Sequence, residues 1–202
     1  MVDFQIENEY ADKGFKAICG IDEAGRGPLA GPVYAAAVIL PPDCEIEGLN
    51  DSKKLTEKKR EALFDVIIEK ALAYGIGTAS EKEIDEINIL NATFLAMKRA
   101  VEALEIKPDL ALIDGNQKPK IGSDITEVTV VKGDAKSMSI AAASVLAKVS
   151  RDRYMLEMAE KYPQYEFEKH KGYGTKLHYE KIAEYGISDI HRRSFLKKII
   201  GE

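Results

Sequence analysis

The 202-residue chain has little cysteine, little histidine and no long apolar run. Its two cysteines, Cys19 and Cys44, cannot build a disulfide framework or supply the four thiolates of a zinc ribbon. Cys19 lies in an apolar stretch and reads as a small buried hydrophobe, which points to a reducing compartment. The three histidines, His170, His178 and His191, match no metal spacing, and His178 reads as a surface residue of a helix. No apolar run approaches the roughly 18 residues a membrane span requires. The first fifteen residues, MVDFQIENEYADKGF, are acidic and polar, unlike a secretory signal. These absences lead us to expect a cytoplasmic protein with no membrane partner. An excess of positive charge is also missing: 29 basic residues stand against 34 acidic ones, a net of −5, so there is no global basic field for nucleic acid. Local fields remain, with five basic and two acidic residues over Asp51–Arg60 and four basic residues and no acid over His191–Lys198. Taken alone, such runs read as solvated helix faces.

What is present suits a folded enzyme-sized unit. A hydrophobic fraction of 45% and a charged fraction of 31% exclude a disordered or collagen-like polymer. A chain of this length buries about 70% of its unfolded surface and needs no metal or disulfide to fold. There is no internal repeat, low-complexity tract or long linker. Strands are expected at Ala17–Asp22, Val33–Leu40, Gly75–Ala79, Leu110–Asp114 and Glu127–Val131. The Gly/Pro-rich connection between the first two favours an antiparallel pair. Helices are expected at Thr56–Tyr74, after the capping-box pair Ser80 and Glu83, at Ser137–Tyr162, Thr175–Tyr185 and Ile190–Ile199. The order predicts an α/β fold with one mixed sheet flanked by helices. Residues 1–161 form the core of this expectation, and 162–202 a small C-terminal helical extension of the same domain.

Chemistry concentrates where strands end. Ile21-Asp22-Glu23 and Ile113-Asp114 close two apolar strands with carboxylates, and Asp134 follows a third strand. The carboxyl ends of strands are where α/β proteins place their sites. For Asp134, three residues before a helix, a capping role competes on local grounds. For Asp22 and Glu23, an acid pair at the end of a buried run is costly without a partner. If these acids converge they form an all-oxygen set, which selects Mg²⁺ or Mn²⁺ over zinc or copper. Two such ions about 4 Å apart activate water and stabilise the leaving oxygen of a phosphodiester. The next segment, Gly25-Arg26-Gly27-Pro28-Leu29-Ala30-Gly31-Pro32, has neither Walker A nor dinucleotide-fingerprint spacing. Two glycines flanking one arginine do let a backbone approach a ligand closely.

These blocks resemble the ribonuclease HII family. The likeness runs from Asp22-Glu23-Ala24-Gly25-Arg26-Gly27-Pro28 through Leu49-Asn50-Asp51-Ser52-Lys53-Lys54-Leu55, Ile113-Asp114-Gly115 and Lys132-Gly133-Asp134. It continues with Ala141–Asp152, Lys171-Gly172-Tyr173-Gly174-Thr175 and His191-Arg192-Arg193-Ser194-Phe195, in family order over residues 17–195. The resemblance implies a ribonuclease H-like fold and an endoribonuclease that uses Mg²⁺ or Mn²⁺. It implies cleavage of RNA in RNA/DNA hybrids, and of duplex DNA on the 5′ side of a single ribonucleotide, leaving a 3′-hydroxyl and a 5′-phosphate. Asp22, Glu23, Asp114 and Asp134 match the family's metal-binding acids. Asp22 and Asp114 would share the ions, with Glu23 and Asp134 completing one site each. Gly25, Arg26 and Gly27 match the element that reads the 2′-hydroxyl, the group that separates RNA from DNA, and Tyr173 matches the ring that stacks on the following deoxyribose. Asn50, Ser52, Lys53, Lys54, Ser144 and Lys148 would hold phosphates by the same resemblance. On local grounds, Lys53 and Lys54 are solvated lysines and Tyr173 a loop aromatic. Asp152 is a rival fourth acid, but Arg151 and Arg153 beside it suggest a surface ion pair. Arg26 and the short leader argue against the related ribonuclease HIII, which carries lysine there and an extra N-terminal domain. Leu196-Lys197-Lys198 departs from the family's usual Ala-Pro continuation, and Lys197–Glu202 shows no clear sliding-clamp peptide. A monomer acting on hybrid or ribonucleotide-containing duplex is therefore expected. Two rivals have distinct tests: a non-catalytic binding module would leave a ribonucleotide-containing duplex intact, and a junction resolvase would cut an all-DNA junction as fast as a hybrid.

Overall fold

The structure is a computed structural model that describes residues 2–50 and 52–201, the side chain of Ile200 aside. Asp51, part of the lysine-rich block, lies outside the described residues, as do Met1 and Glu202. Five strands form one sheet: β1 (Ile18–Ala24), β2 (Val33–Ile39), β3 (Ala73–Ala79), β4 (Leu110–Asp114) and β5 (Thr126–Val130). Their spatial order is β3-β2-β1-β4-β5, antiparallel across β1, β2 and β3 and parallel across β1, β4 and β5. The helices are α1 (Gln5–Asp12), α2 (Glu57–Lys70), α3 (Glu81–Glu102), α4 (Met138–Lys161), α5 (Phe167–His170), α6 (Lys176–Tyr185) and α7 (Arg193–Ile200). The sheet, its mixed pairing and its flanking helices are those of the α/β class expected from sequence.

The strand period of two sorts β1 into two faces. Cys19 and Ile21 join Ala35, Ala37, Ala111 and Ile113 on the face covered by Ala92, Ala96, Met97 and Ala100 of α3. Ala36 and Val38 face α4 and α2, where Ala142, Val145 and Leu146 meet Leu63, Phe64 and Ile67. Burying a side chain such as Ile21 contributes about 1.5–3 kcal/mol. Gly20 sits where α4 crosses β1. A Cβ there would lie 2.2 Å from the Ser139 carbonyl carbon and 2.3 Å from Ile140 N. The small residues at the start of α4 and in β2 thus serve a near-contact of helix and sheet, which carries Ser144 toward the end of β1.

Several boundaries differ from the sequence reading. The helix expected to reach Tyr74 stops at Lys70. Ala71 turns extended, Leu72 N–H donates to Ile39 O at 2.9 Å, and residues 73–79 then pair with β2. Tyr74 lies opposite Val38 in the sheet. The free edge of β2 offers a ladder of hydrogen bonds that local helical periodicity does not register. The polar leader contains α1, whose Glu7 is buried. Its Oε1 accepts from Ser137 Oγ (2.6 Å), Ser139 Oγ (2.6 Å) and Ser139 N (2.9 Å), placing a carboxylate at the positive end of α4. The last helix begins at Arg193, after a strap over 188–192.

Candidate active site

The parallel pairing of Ile21 with Ile113 leaves Asp22 and Asp114 one residue further on, at the ends of adjacent strands. Asp22 is 4% exposed. Its Oδ1 accepts from Glu23 N at 2.7 Å, and Ser144 on α4 also hydrogen-bonds it. Asp114 Oδ1 accepts from Gly133 N at 2.7 Å, which draws the turn bearing Asp134 to the strand end. Asp134 is buried in that turn, with Lys53 Nζ 3.7 Å from its Oδ2. It is not the cap of α4; Ser137 is, accepting from Ile140 N.

Burial, then the charges of Glu23 and Asp114, push the Asp22 carboxyl well above its ordinary range. Burial also raises Glu23, opposed by Arg26, whose Nη1 lies 3.4 Å from Glu23 Oε1, while Asp114 adds to the rise. Arg26 at Glu23 and Lys53 at Asp134 place positive charge beside these acids. Among the described residues, no three carboxylates, imidazoles or thiolates are already set at ligand distance around one point. The donor set nevertheless fits a hard divalent cation: it is all oxygen, and burial together with neighbouring negative charge raises the Asp22 and Glu23 carboxyls.

A cleft of about 260 Å³ opens beside these acids. Asp22, Glu23, Gly25, Arg26, Gly27, Ser52, Lys53, Ser144, Lys148 and Tyr173 all line it. Asp114, Asp134, Asn50 and Lys54 are not among its walls. Ser52 and Ser144 hydroxyls lie 2.6 Å apart, which ties the lysine-rich block to α4 and so to Asp22. Lys53 and Lys54 are exposed, as local reasoning expects of lysines. Tyr173 is 42% exposed, and Lys148 Nζ lies 5.8 Å from its ring centroid. Gly25 has φ +95°, and a Cβ on it would fall 2.1 Å from Arg151 Nε, so only glycine fits this turn.

Other expectations need correction. Asp152 is buried and pairs with Lys148 (2.7 Å) and Arg60 (3.9 Å), not with its sequence neighbours in a surface pair. Arg153 reaches Glu61 instead. Arg151 is fully buried and donates to the carbonyls of Ala30, Pro32 and Lys171. His178 is fully buried, not a surface residue, because His191 arrives from the C-terminal strap and covers it. Arg192, part of a run that local reasoning treats as solvated, is 0% exposed. The burial of Arg151, Arg192 and His178 is not legible in the sequence, because only tertiary contacts distinguish a buried arginine or histidine from an exposed one.

The profile of the ribonuclease HII family matches residues 19–198. A ribonuclease HII from Caldicellulosiruptor bescii is 58% identical over 197 residues, covering 98% of this chain and 95% of that protein. Among solved structures, ribonuclease H2 from Pyrococcus horikoshii superposes with a TM-score of 0.73 at 31% identity, over 89% of this chain and 93% of that one. Ribonuclease HII of Archaeoglobus fulgidus, solved in complex with PCNA, superposes with a TM-score of 0.69 at 27% identity, over 88% of this chain and 94% of that one.

Proposed function

Because this chain belongs to the ribonuclease HII family and is a ribonuclease H endonuclease acting on RNA/DNA hybrids, we propose that it also nicks duplex DNA on the 5′ side of a single embedded ribonucleotide. The single observation that carries the proposal is the cleft where the acids Asp22 and Glu23, the Gly25-Arg26-Gly27 turn and the Tyr173 ring face one space. That space is lined by carboxylates, by the glycine-flanked turn and by a flat ring.

Asp22, Glu23, Asp114 and Asp134 would hold two divalent ions, Mn²⁺ or Mg²⁺, with Asp22 and Asp114 shared. When bound, such ions supply an activated water and stabilise charge on the leaving oxygen, so that hydrolysis leaves a 3′-hydroxyl and a 5′-phosphate. The protein's own groups position the substrate. Ser144 orients the Asp22 carboxylate, itself steadied by Ser52. Lys148 and Lys53 bring positive charge to the cleft wall, where a scissile phosphate lies in this reading. Asn50 and Lys54 would meet phosphates further along the strand. Backbone groups of Gly25–Gly27 take the 2′-hydroxyl, and Tyr173 stacks on the deoxyribose that follows. Histidine need not act as base: His170 and His178 are each hydrogen-bonded to backbone carbonyls, and His191 to a backbone amide and to His178. Among the described residues no helix is long and apolar enough to cross a membrane. We read the protein as a cytoplasmic monomer that removes ribonucleotides from DNA, with residues 162–202 an extension of the catalytic domain. The PCNA complex belongs to the archaeal relative, and no clamp contact is proposed here.

The test is an end-labelled duplex holding one ribonucleotide, incubated with Mn²⁺. One nick 5′ to the ribonucleotide is expected. An intact duplex across several metals and pH values, or an all-DNA duplex cut as fast, would overturn the proposal.

A further inference from the structure

Two buried groups near the cleft have no part in the hydrolysis. One is a guanidinium bound to carbonyls, and the other is a chain of imidazoles. We propose that the dipeptide His191-Arg192 is the positioning element of the ribonucleotide reader: Arg192 fixes the Gly25–Gly27 turn, and His191, acting through His178, fixes Tyr173. This rests on the reading of that turn and ring as the elements that recognise the ribonucleotide.

Arg192 donates from Nη2 to Gly25 O (2.6 Å), from Nη1 to Arg26 O (3.0 Å) and from Nε to Gly31 O (2.8 Å). Both ends of its planar fork are therefore spent on consecutive carbonyls of the turn. In a trans peptide the carbonyl and the following N–H point in opposite directions. Pinning the Gly25 and Arg26 carbonyls inward therefore turns the amides of Arg26 and Gly27 the other way, and these two residues line the cleft. A hydroxyl oxygen in the cleft would meet these two donors. Lysine could not replace this fork, because it carries charge without the fixed planar geometry.

The imidazole chain leads to Tyr173. Ser188 N donates to His191 Nδ1 at 2.9 Å, so the proton of a neutral His191 sits on Nε2. That Nε2 lies 3.0 Å from His178 Nε2, which must accept. His178 then carries its proton on Nδ1 and donates to Tyr173 O at 2.9 Å. His170 stacks on His178 with ring centroids 4.4 Å apart, and its Nδ1 accepts from Gly172 N. The tautomers follow from the partners, and each ring fixes the next. The strap bearing the dipeptide is itself held. Arg192 N donates to Leu29 O, Gly31 N donates to Ile190 O, and the Asp85 carboxylate accepts from the amides of Arg193 and Ser194. Tyr173 and the turn lie on separate segments, and these two adjacent residues join them.

The experiment uses the full chain with Arg192→Lys, Arg192→Gln, His178→Phe and Tyr173→Ala. His178→Phe keeps a planar aromatic ring, a somewhat larger one, and deletes both nitrogens. The first readout is kcat/KM on a single-ribonucleotide duplex divided by kcat/KM on a uniform RNA/DNA hybrid. Arg192→Lys and His178→Phe should each lower this ratio about tenfold, the scale of a lost hydrogen bond to a positioned group. In the Tyr173→Ala background, His178→Phe should cause no further loss, which a merely structural role would not produce. The second readout is amide hydrogen exchange, expected to quicken at 25–27 in the Arg192 variants and at 171–175 in His178→Phe. An equal loss in both Tyr173 backgrounds, or unchanged exchange with ratios within twofold of the parent, would overturn the proposal. So would failure of both Arg192 variants to fold, since Arg192 would then be structural. If the unmutated protein does not nick the single-ribonucleotide duplex, the functional reading fails, while the exchange data still decide whether the dipeptide positions these segments.

Discussion

Replacing Asp22 by asparagine should stabilise the metal-free protein while removing its cleavage activity. The amide is nearly isosteric, and its oxygen can still accept from Glu23 N, the bond that is 2.7 Å in the parent. The substitution deletes a buried charge that Glu23 and Asp114 already disfavour. Asp22 and Asp114 close neighbouring strands, which lie about 4.8 Å apart. At an effective dielectric of about 20, two unit charges at that spacing repel by about 3.5 kcal/mol. Screening by water in the adjoining cleft leaves a gain of about 2 kcal/mol. For a chain of 202 residues that is a rise in Tm of about 4–8 °C in EDTA. Mn²⁺ should reverse the order. A concentration a hundred times Kd stabilises the parent by about 2.7 kcal/mol, and the variant gains far less. Calorimetry in EDTA and across a Mn²⁺ titration, with cleavage measured on the same samples, reads both effects. An Asp22→Asn protein that melts below the parent in EDTA, or that gains as much from Mn²⁺, would refute the electrostatic account of the site.

Gly20→Ala should cost about 3 kcal/mol or more, because its Cβ would fall 2.2 Å from backbone of α4 that cannot rotate away; a loss under about 1 kcal/mol in urea unfolding would contradict the close packing. Stability should also fall with acid in a defined window. Burial lowers His178 and His191 from 6.5 to about 4, and neighbouring imidazoles add to the drop, His170 at His178 and both His178 and His170 at His191. The unfolded chain therefore takes up these protons first as pH falls. The stability they contribute is complete above about pH 6.5 and is lost toward pH 4, by up to about 1.4 kcal/mol per pH unit for each ring. The slope of urea-unfolding free energy between pH 6.5 and 4.5 checks this, and His178→Phe should flatten it.

The sequence makes the site more legible than the supports around it. Strands ending in acids announce themselves locally, since Ile21-Asp22 and Ile113-Asp114 pair apolar burial with charge in the space of one bond. The Ala-rich start of α4 signals a close approach, and Gly20 is what receives it. By contrast, the burial of Glu7, Arg192 and His178 depends on what arrives from elsewhere in the chain: the N-terminus of α4, three loop carbonyls and His191. No window of residues contains that information. The end of α2 differs from the helical periodicity for a related reason. Ala71 and Tyr74 continue a helical stripe, but an unpaired edge of β2 competes for the same residues and wins.

Diffraction from crystals soaked in Mn²⁺, recorded for its anomalous signal, would locate the ions. Two manganese peaks are expected at the carboxyl ends of β1 and β4, within ligand distance of Asp22, Glu23, Asp114 and Asp134, with Asp22 and Asp114 touching both. Manganese bound elsewhere, with these four carboxylates bare, would contradict that assignment.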